Sequence, residues 1–212
     1  MDIWSLSKRT KDEQIQFKNS LISYYQCAHP TNDSLVKCMV LNEFFPRATV
    51  IASHIWKFCT EGEGLREFNL EPSDLSSPRN GLLMCESIER AFDEKRLCFL
   101  IDRIRSTDLY VKVLDRNLLD PSKSQIICDG TKLRFIDIDG RMLQCPSNSI
   151  PFRRILDFHA KCSFEKAINK GWLEPNSKFE NFFDMSVGSS IPDLNMYQDL
   201  LSDADSKEDG DD

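Results

Sequence analysis

Four side chains have the types and spacing to do chemistry together: His54, Asn80, Glu89 and Asp93. An imidazole titrates near neutral pH, so His54 can serve as a base that takes a proton from water. Glu89 and Asp93 are four residues apart, so on a helix they share a face. Two carboxylates on one face suit a hard cation, and Mg²⁺ or Mn²⁺ fits them better than Zn²⁺. Plainer readings stand beside these. Asn80-Gly81 is turn chemistry, His54 a hydrogen-bonded histidine at a strand end, and Glu89 and Asp93 a solvated helix face next to Arg90 and Glu94.

The elements that must position these residues can be read from periodicity. Val50–Ser53 and Gly81–Met84 are short apolar runs and predict strands. Glu86–Glu94 predicts a helix, with Ile88, Ala91 and Phe92 on one face. Between Trp56 and Pro78 the Gly, Pro and Ser content predicts a loop, with one helical turn near Leu65–Phe68. The order is therefore strand, His54, loop, Asn80, strand, helix. Upstream, Lys11–Gln26 predicts a helix whose inner face carries Ile15, Leu21, Ile22 and Tyr25, and Lys37–Leu41 a further strand.

Ala52-Ser53-His54-Ile55, Asn80-Gly81-Leu82-Leu83-Met84 and Glu89-Arg90-Ala91-Phe92-Asp93 stand in an order and spacing that resembles the HNH endonuclease family. The subgroup in question has a small residue before His-Ile, an Asn-Gly-Leu-Leu run and Phe-Asp. Lys37-Cys38-Met39-Val40-Leu41 sits where it has a Cys-containing strand. The resemblance implies a ββα-metal fold with one divalent cation between hairpin and helix. It implies hydrolysis of phosphodiester bonds in nucleic acid, with His54 as base, Asn80 as the residue that anchors the loop or ligates the metal, and Glu89 and Asp93 as ligands. Two positions depart from the family pattern. Glu89 replaces the helix histidine, and Ser53 stands where many relatives carry an acidic or histidine ligand. Both changes weaken a transition-metal site and leave either a two-carboxylate site or none. A catalytically inactive HNH-fold binding or regulatory module is therefore the second reading.

Beyond this region Leu97–Ile101 and Leu109–Leu114 predict strands. Gln125–Cys128, Lys132–Ile138 and Arg141–Leu143, joined by Asp129-Gly130 and Asp139-Gly140, predict hairpins of an antiparallel meander. Phe152 to Lys170 predicts a helix with Phe152, Ile155, Leu156, His159 and Cys162 on its apolar face, so His159 reads as a packing histidine. The net charge of -7 resides in the segment from Asp193 onward, which holds eight acidic residues and Lys207. A neutral body offers no bulk attraction to nucleic acid, so a local patch must supply it. Lys57, Arg66, Arg79, Arg90, Lys95 and Arg96 are the candidates, and a mixed-charge surface is the plainer alternative. Trp56 suits either the core or stacking on a base. The eight cysteines contain no C-x-x-C pair and read as reduced, mostly buried thiols.

These readings give an α+β protein. Residues 1–35 form an N-terminal helical extension, 36–100 the HNH-like ββα module, 101–175 a β-meander plus helix packed on it, and 176–212 an acidic tail without fixed structure. No run approaches the length of a membrane span, and Met1-Asp2-Ile3-Trp4 does not open a signal peptide. The expected setting is intracellular, nuclear or cytoplasmic. The expected partners are nucleic acid and a protein engaged by the acidic tail, with no membrane.

Overall fold

The computed structural model describes residues 10–102, 108–122, 128, 131–146, 148–175 and 177. Helix α1 (Lys11–Tyr24) starts at a Thr10–Glu13 capping box, in which the Thr10 side chain and the Glu13 carboxylate each satisfy a backbone N–H of the first turn. It is followed by β1 (Leu35–Cys38) and β2 (Glu43–Pro46), then by β3 (Val50–His54). Four short 3-10 turns carry the chain from Phe58 to Asn80. Strand β4 (Gly81–Cys85) leads directly into α2 (Glu86–Asp93), and β5 (Leu97–Ile101) and β6 (Leu109–Val113) follow. Two four-residue helices, α3 (Arg116–Leu119) and α4 (Phe135–Ile138), precede α5 (Arg153–Asn169).

Each strand pairs with its neighbour in sequence order, giving three two-stranded antiparallel sheets. In the β3–β4 pair Val50 lies opposite Cys85 and His54 opposite Gly81. Helix α2 packs on this pair, so β3, β4 and α2 form a ββα unit. Its helix follows from the sequence: Glu86 and Glu89 in the first turn favour the positive helix end, and Ile88, Ala91 and Phe92 are buried together. A hydrogen bond from Met39 N to Leu83 O ties the end of β1 to β4 at 2.9 Å. Helix α5 packs against β5. The main apolar cluster runs from Phe17 of α1 through the ββα unit to Leu156 and Cys162 of α5.

Helix α1 seats itself with Phe17, Leu21, Ile22 and the following Tyr25 buried, whereas Ile15 is 56% exposed. Phe17, Leu21 and Tyr25 recur at intervals of four, the true inner stripe, and Ile15 falls outside it. The stripe meets the hairpin at Gly81. A Cβ there would stand 2.6 Å from Phe17 Cζ and 2.8 Å from Leu21 Cδ2. The Tyr25 hydroxyl donates to Gly81 O at 3.1 Å.

Among the described residues, the meander expected after residue 101 is reduced to a smaller arrangement. The β5–β6 pair is present, and Met142 adds only an isolated bridge to Tyr110. Within Lys132–Ile138, expected as a strand, Phe135–Ile138 turns as helix α4. The Asp137 carboxylate accepts from Arg134 N at 2.8 Å, and Phe135 and Ile138, three residues apart, both point into the core. Asp139-Gly140 therefore does not close a hairpin. Asp139 accepts from Val113 N and Lys112 Nζ instead. The β1–β2 hairpin was not anticipated. Its turn contains Asn42 at φ 57, a conformation that asparagine tolerates. The proposed Gln125–Cys128 strand, apart from Cys128, and the Asp129-Gly130 turn lie outside the described residues, as does residue 178 onward with its acidic segment. No helix of the described residues is long and apolar enough to cross a membrane. None of the eight cysteines is in a disulfide, and five of them are buried. Burial pushes Cys27 up to about 11 and Cys145 up to about 12.

His159 of α5 stacks on Phe92 of α2, with ring centroids 3.8 Å apart. Its Nε2 lies 3.0 Å from the Phe92 carbonyl, which it reaches as a donor in the Nε2–H tautomer. Desolvation, reinforced by the Lys95 ammonium, lowers its pKa from 6.5 to about 3. The unfolded chain thus takes up a proton below about 6.5 that the native chain refuses until about 3. The stability this group contributes is complete above that window and drains away as pH falls through it. Urea unfolding should show a loss of up to about 1.4 kcal/mol per pH unit from this residue, absent in His159→Gln. Gly81→Ala should lower stability by about 1–3 kcal/mol in the same assay, because Phe17 or Leu21 must move.

Candidate functional site

Asn80 is fully buried at the end of a 3-10 turn that begins at Pro78 and is capped by the Ser77 hydroxyl. Its carboxamide makes three hydrogen bonds. Oδ1 accepts from Trp56 N at 2.8 Å, and Nδ2 donates to Trp56 O at 3.0 Å and to Leu75 O at 2.9 Å. The Asn80 carbonyl accepts from Ile55 N at 2.9 Å. The amide therefore continues the β3–β4 ladder beyond His54, with a side chain standing in for a strand. Trp56 is itself locked: Nε1 donates to Glu63 O at 2.9 Å, and the ring packs against Phe68 and Phe158. Trp56 is core, 1% exposed, and not a surface for stacking bases.

His54 closes β3. Because its strand partner is Gly81, no side chain competes for the space above the pair. Phe17 fills it, its ring parallel to the imidazole at 5° with centroids 3.9 Å apart. Phe58 stands further off at 6.1 Å. The imidazole is partly exposed as a whole, but its Nε2 is buried.

Successive strand residues point to opposite faces. Ser53, next to His54, therefore faces α2, and its Oγ donates to Asp93 Oδ1 at 3.3 Å. The other Asp93 oxygen is ion-paired with Lys57 Nζ. These two side chains are only 19% and 20% exposed. Glu89 stands one turn earlier on α2 and is partly buried. The structure thus joins His54 to Asn80 through the backbone of residues 55 and 56. It joins Asp93 to Ser53 and Lys57 on the opposite face of the hairpin.

This donor set does not fit a divalent ion. Asp93 is already compensated by an ammonium, and Ser53 contributes a neutral hydroxyl. Among the described residues no group of three or more His, Cys, Asp or Glu side chains is placed to hold a metal. The proposed basic patch is also largely committed. Lys57 pairs with Asp93, Arg66 with Glu71, Arg90 with Glu86, and Arg96 with Glu94 and Asp115. Lys95 is buried and Arg79 lies over the Phe152 ring. The exposed pairs among these are weak and exchange readily for other anions. Phe17 escaped the sequence reading, and Lys57 entered it only as a member of a basic patch. The stripe at intervals of four announces Phe17, but nothing local announces that Lys57 reaches a helix 36 residues away.

Asn80→Ala removes three buried hydrogen bonds and strands the Trp56 N–H and two carbonyls. It should cost about 3 kcal/mol or more in urea unfolding. Asn80→Asp should be no rescue, since it aims a carboxylate at the carbonyls of Trp56 and Leu75.

Residues 38–100, less than a third of the chain, match the sequence model of a family described as HNH endonuclease. No curated protein and no solved structure matches the chain. The matched span contains β3, His54, Asn80, β4 and α2. It points to nuclease activity in general and to nucleic acid as the class of partner. By sequence the segment 38–100 is similar to the HNH endonucleases, and its ββα arrangement is compatible with an HNH-like fold.

Proposed function

We propose that the chain is an HNH-type endonuclease that hydrolyses phosphodiester bonds in nucleic acid through the module at residues 36–100. His54 is the base that takes the proton of the attacking water. Asn80 is a positioning residue that fixes the strand end from which His54 projects. The observation that supports this reading is the carboxamide clamp of Asn80 on Trp56, two residues past His54, within the segment that matches the family. A clamp of three hydrogen bonds at full burial is more than a turn needs, and it holds the backbone beside the imidazole at a set position.

A second reading is favoured by one observation. Phe17 covers one face of the imidazole and Nε2 is buried, so water meets the ring only from its open side. In that reading the module binds nucleic acid or a protein and no longer cleaves.

The deciding experiment is nicking of supercoiled plasmid, single-stranded DNA and RNA, with Mg²⁺, with Mn²⁺ and with chelator. Under the nuclease reading the wild-type chain cleaves, and His54→Ala loses about a hundredfold or more. Wild-type chain that retains nucleic-acid binding in a gel-shift assay but cleaves nothing would establish the second reading.

A further inference from the structure

Asp93 is an acid in the last turn of α2, where the helix carbonyls already carry partial negative charge. A carboxylate there, four-fifths buried and facing a strand, calls for a cation. The chain supplies one. Lys57, three residues past His54, sends its ammonium to Asp93, and the Ser53 hydroxyl takes the other oxygen. The ammonium therefore lies on the same carboxylate that the β3 hydroxyl of Ser53 reaches, at the C-terminal end of α2.

We propose that Lys57 is the resident cation of this site. Its ammonium fills the place between hairpin and helix where the HNH resemblance implies a divalent ion, and it keeps such an ion out. A divalent ion on Asp93 would stand within contact distance of a fixed positive charge, in a place screened from water. Only the site's use in phosphodiester cleavage rests on the nuclease reading. The exclusion of metal rests on the ion pair alone. Ser53 fits the same scheme, because a hydroxyl can donate to a carboxylate that an ammonium compensates, whereas a second acid at position 53 would leave the site one positive charge short.

The test is Mn²⁺ binding to the full chain, read by electron paramagnetic resonance and calorimetry. Wild-type chain should bind no stoichiometric Mn²⁺. Lys57→Met, which keeps much of the stem and removes the charge, should bind it on the order of tenfold more tightly or better. The gain should vanish in the Lys57→Met/Asp93→Asn double variant. Lys57→Gln is the second variant should Lys57→Met fail to fold by circular dichroism. Stoichiometric binding by wild type that is lost in Asp93→Asn overturns the proposal. So does a folded Lys57 variant that binds no better than wild type. Cleavage is a separate arm. If it occurs, it should persist in chelator, and cleavage abolished by chelator and restored by Mn²⁺ also overturns the proposal. Absence of all cleavage sinks the nuclease reading and leaves the Mn²⁺ measurement to judge Lys57.

Discussion

The carboxamide of Asn80 is the constraint on which the site depends. Its oxygen and nitrogen bridge both backbone groups of Trp56, and the nitrogen also holds Leu75. Without these bonds the ends of β3 and β4 would part where Gly81 offers no side chain to hold them together. Each bond is worth about 1 kcal/mol when made, but each buried partner left unmade costs more. The clamp therefore acts chiefly by penalising every arrangement in which residues 54–56 lie elsewhere. The same bonds that satisfy a buried loop also fix the departure point of the His54 ring.

The hairpin separates two environments. On one face the His54 imidazole lies under an aromatic ring, with Gly81 giving the space and α1 the cover. On the other, charge is balanced inside the molecule by Lys57 and Asp93. An ion pair so placed adds little net stability, since desolvation offsets most of its Coulomb energy, yet removal of either partner leaves a charge stranded. Strand alternation alone assigns neighbouring residues 53 and 54 to these two faces.

Sequence reasoning reached the parts that local rules govern. Ile88, Ala91 and Phe92 announced α2 by their spacing, and the helix of α5 was legible in the same way. His54 and Asn80 were singled out by motif order, and in the structure Asn80 binds the backbone of Ile55 and Trp56, the two residues that follow His54. Long-range choices were not legible. Lys57 looked like a surface cation because its partner is distant in sequence. Phe135–Ile138 looked like a strand because its residues favour one, but the Asp137 cap and the burial of two side chains on one side of a turn prevailed. Ile15 was as apolar as Phe17, and only the position of the hairpin decided between them.

Phe17 and Leu21 lie outside the segment that matches the family, yet they roof Gly81 and the imidazole within it. The match is therefore not a portable unit. A fragment cut at residue 38 would keep every signature residue and lose the lid that keeps its apolar face dry. It would also lose β1, whose Val36 is wholly buried. Such a fragment would expose β4, all five of its residues buried in the whole chain, as an open template for association with copies of itself. In this chain the boundary of a recognisable motif and the boundary of a foldable body are different places, and α1 belongs to the second.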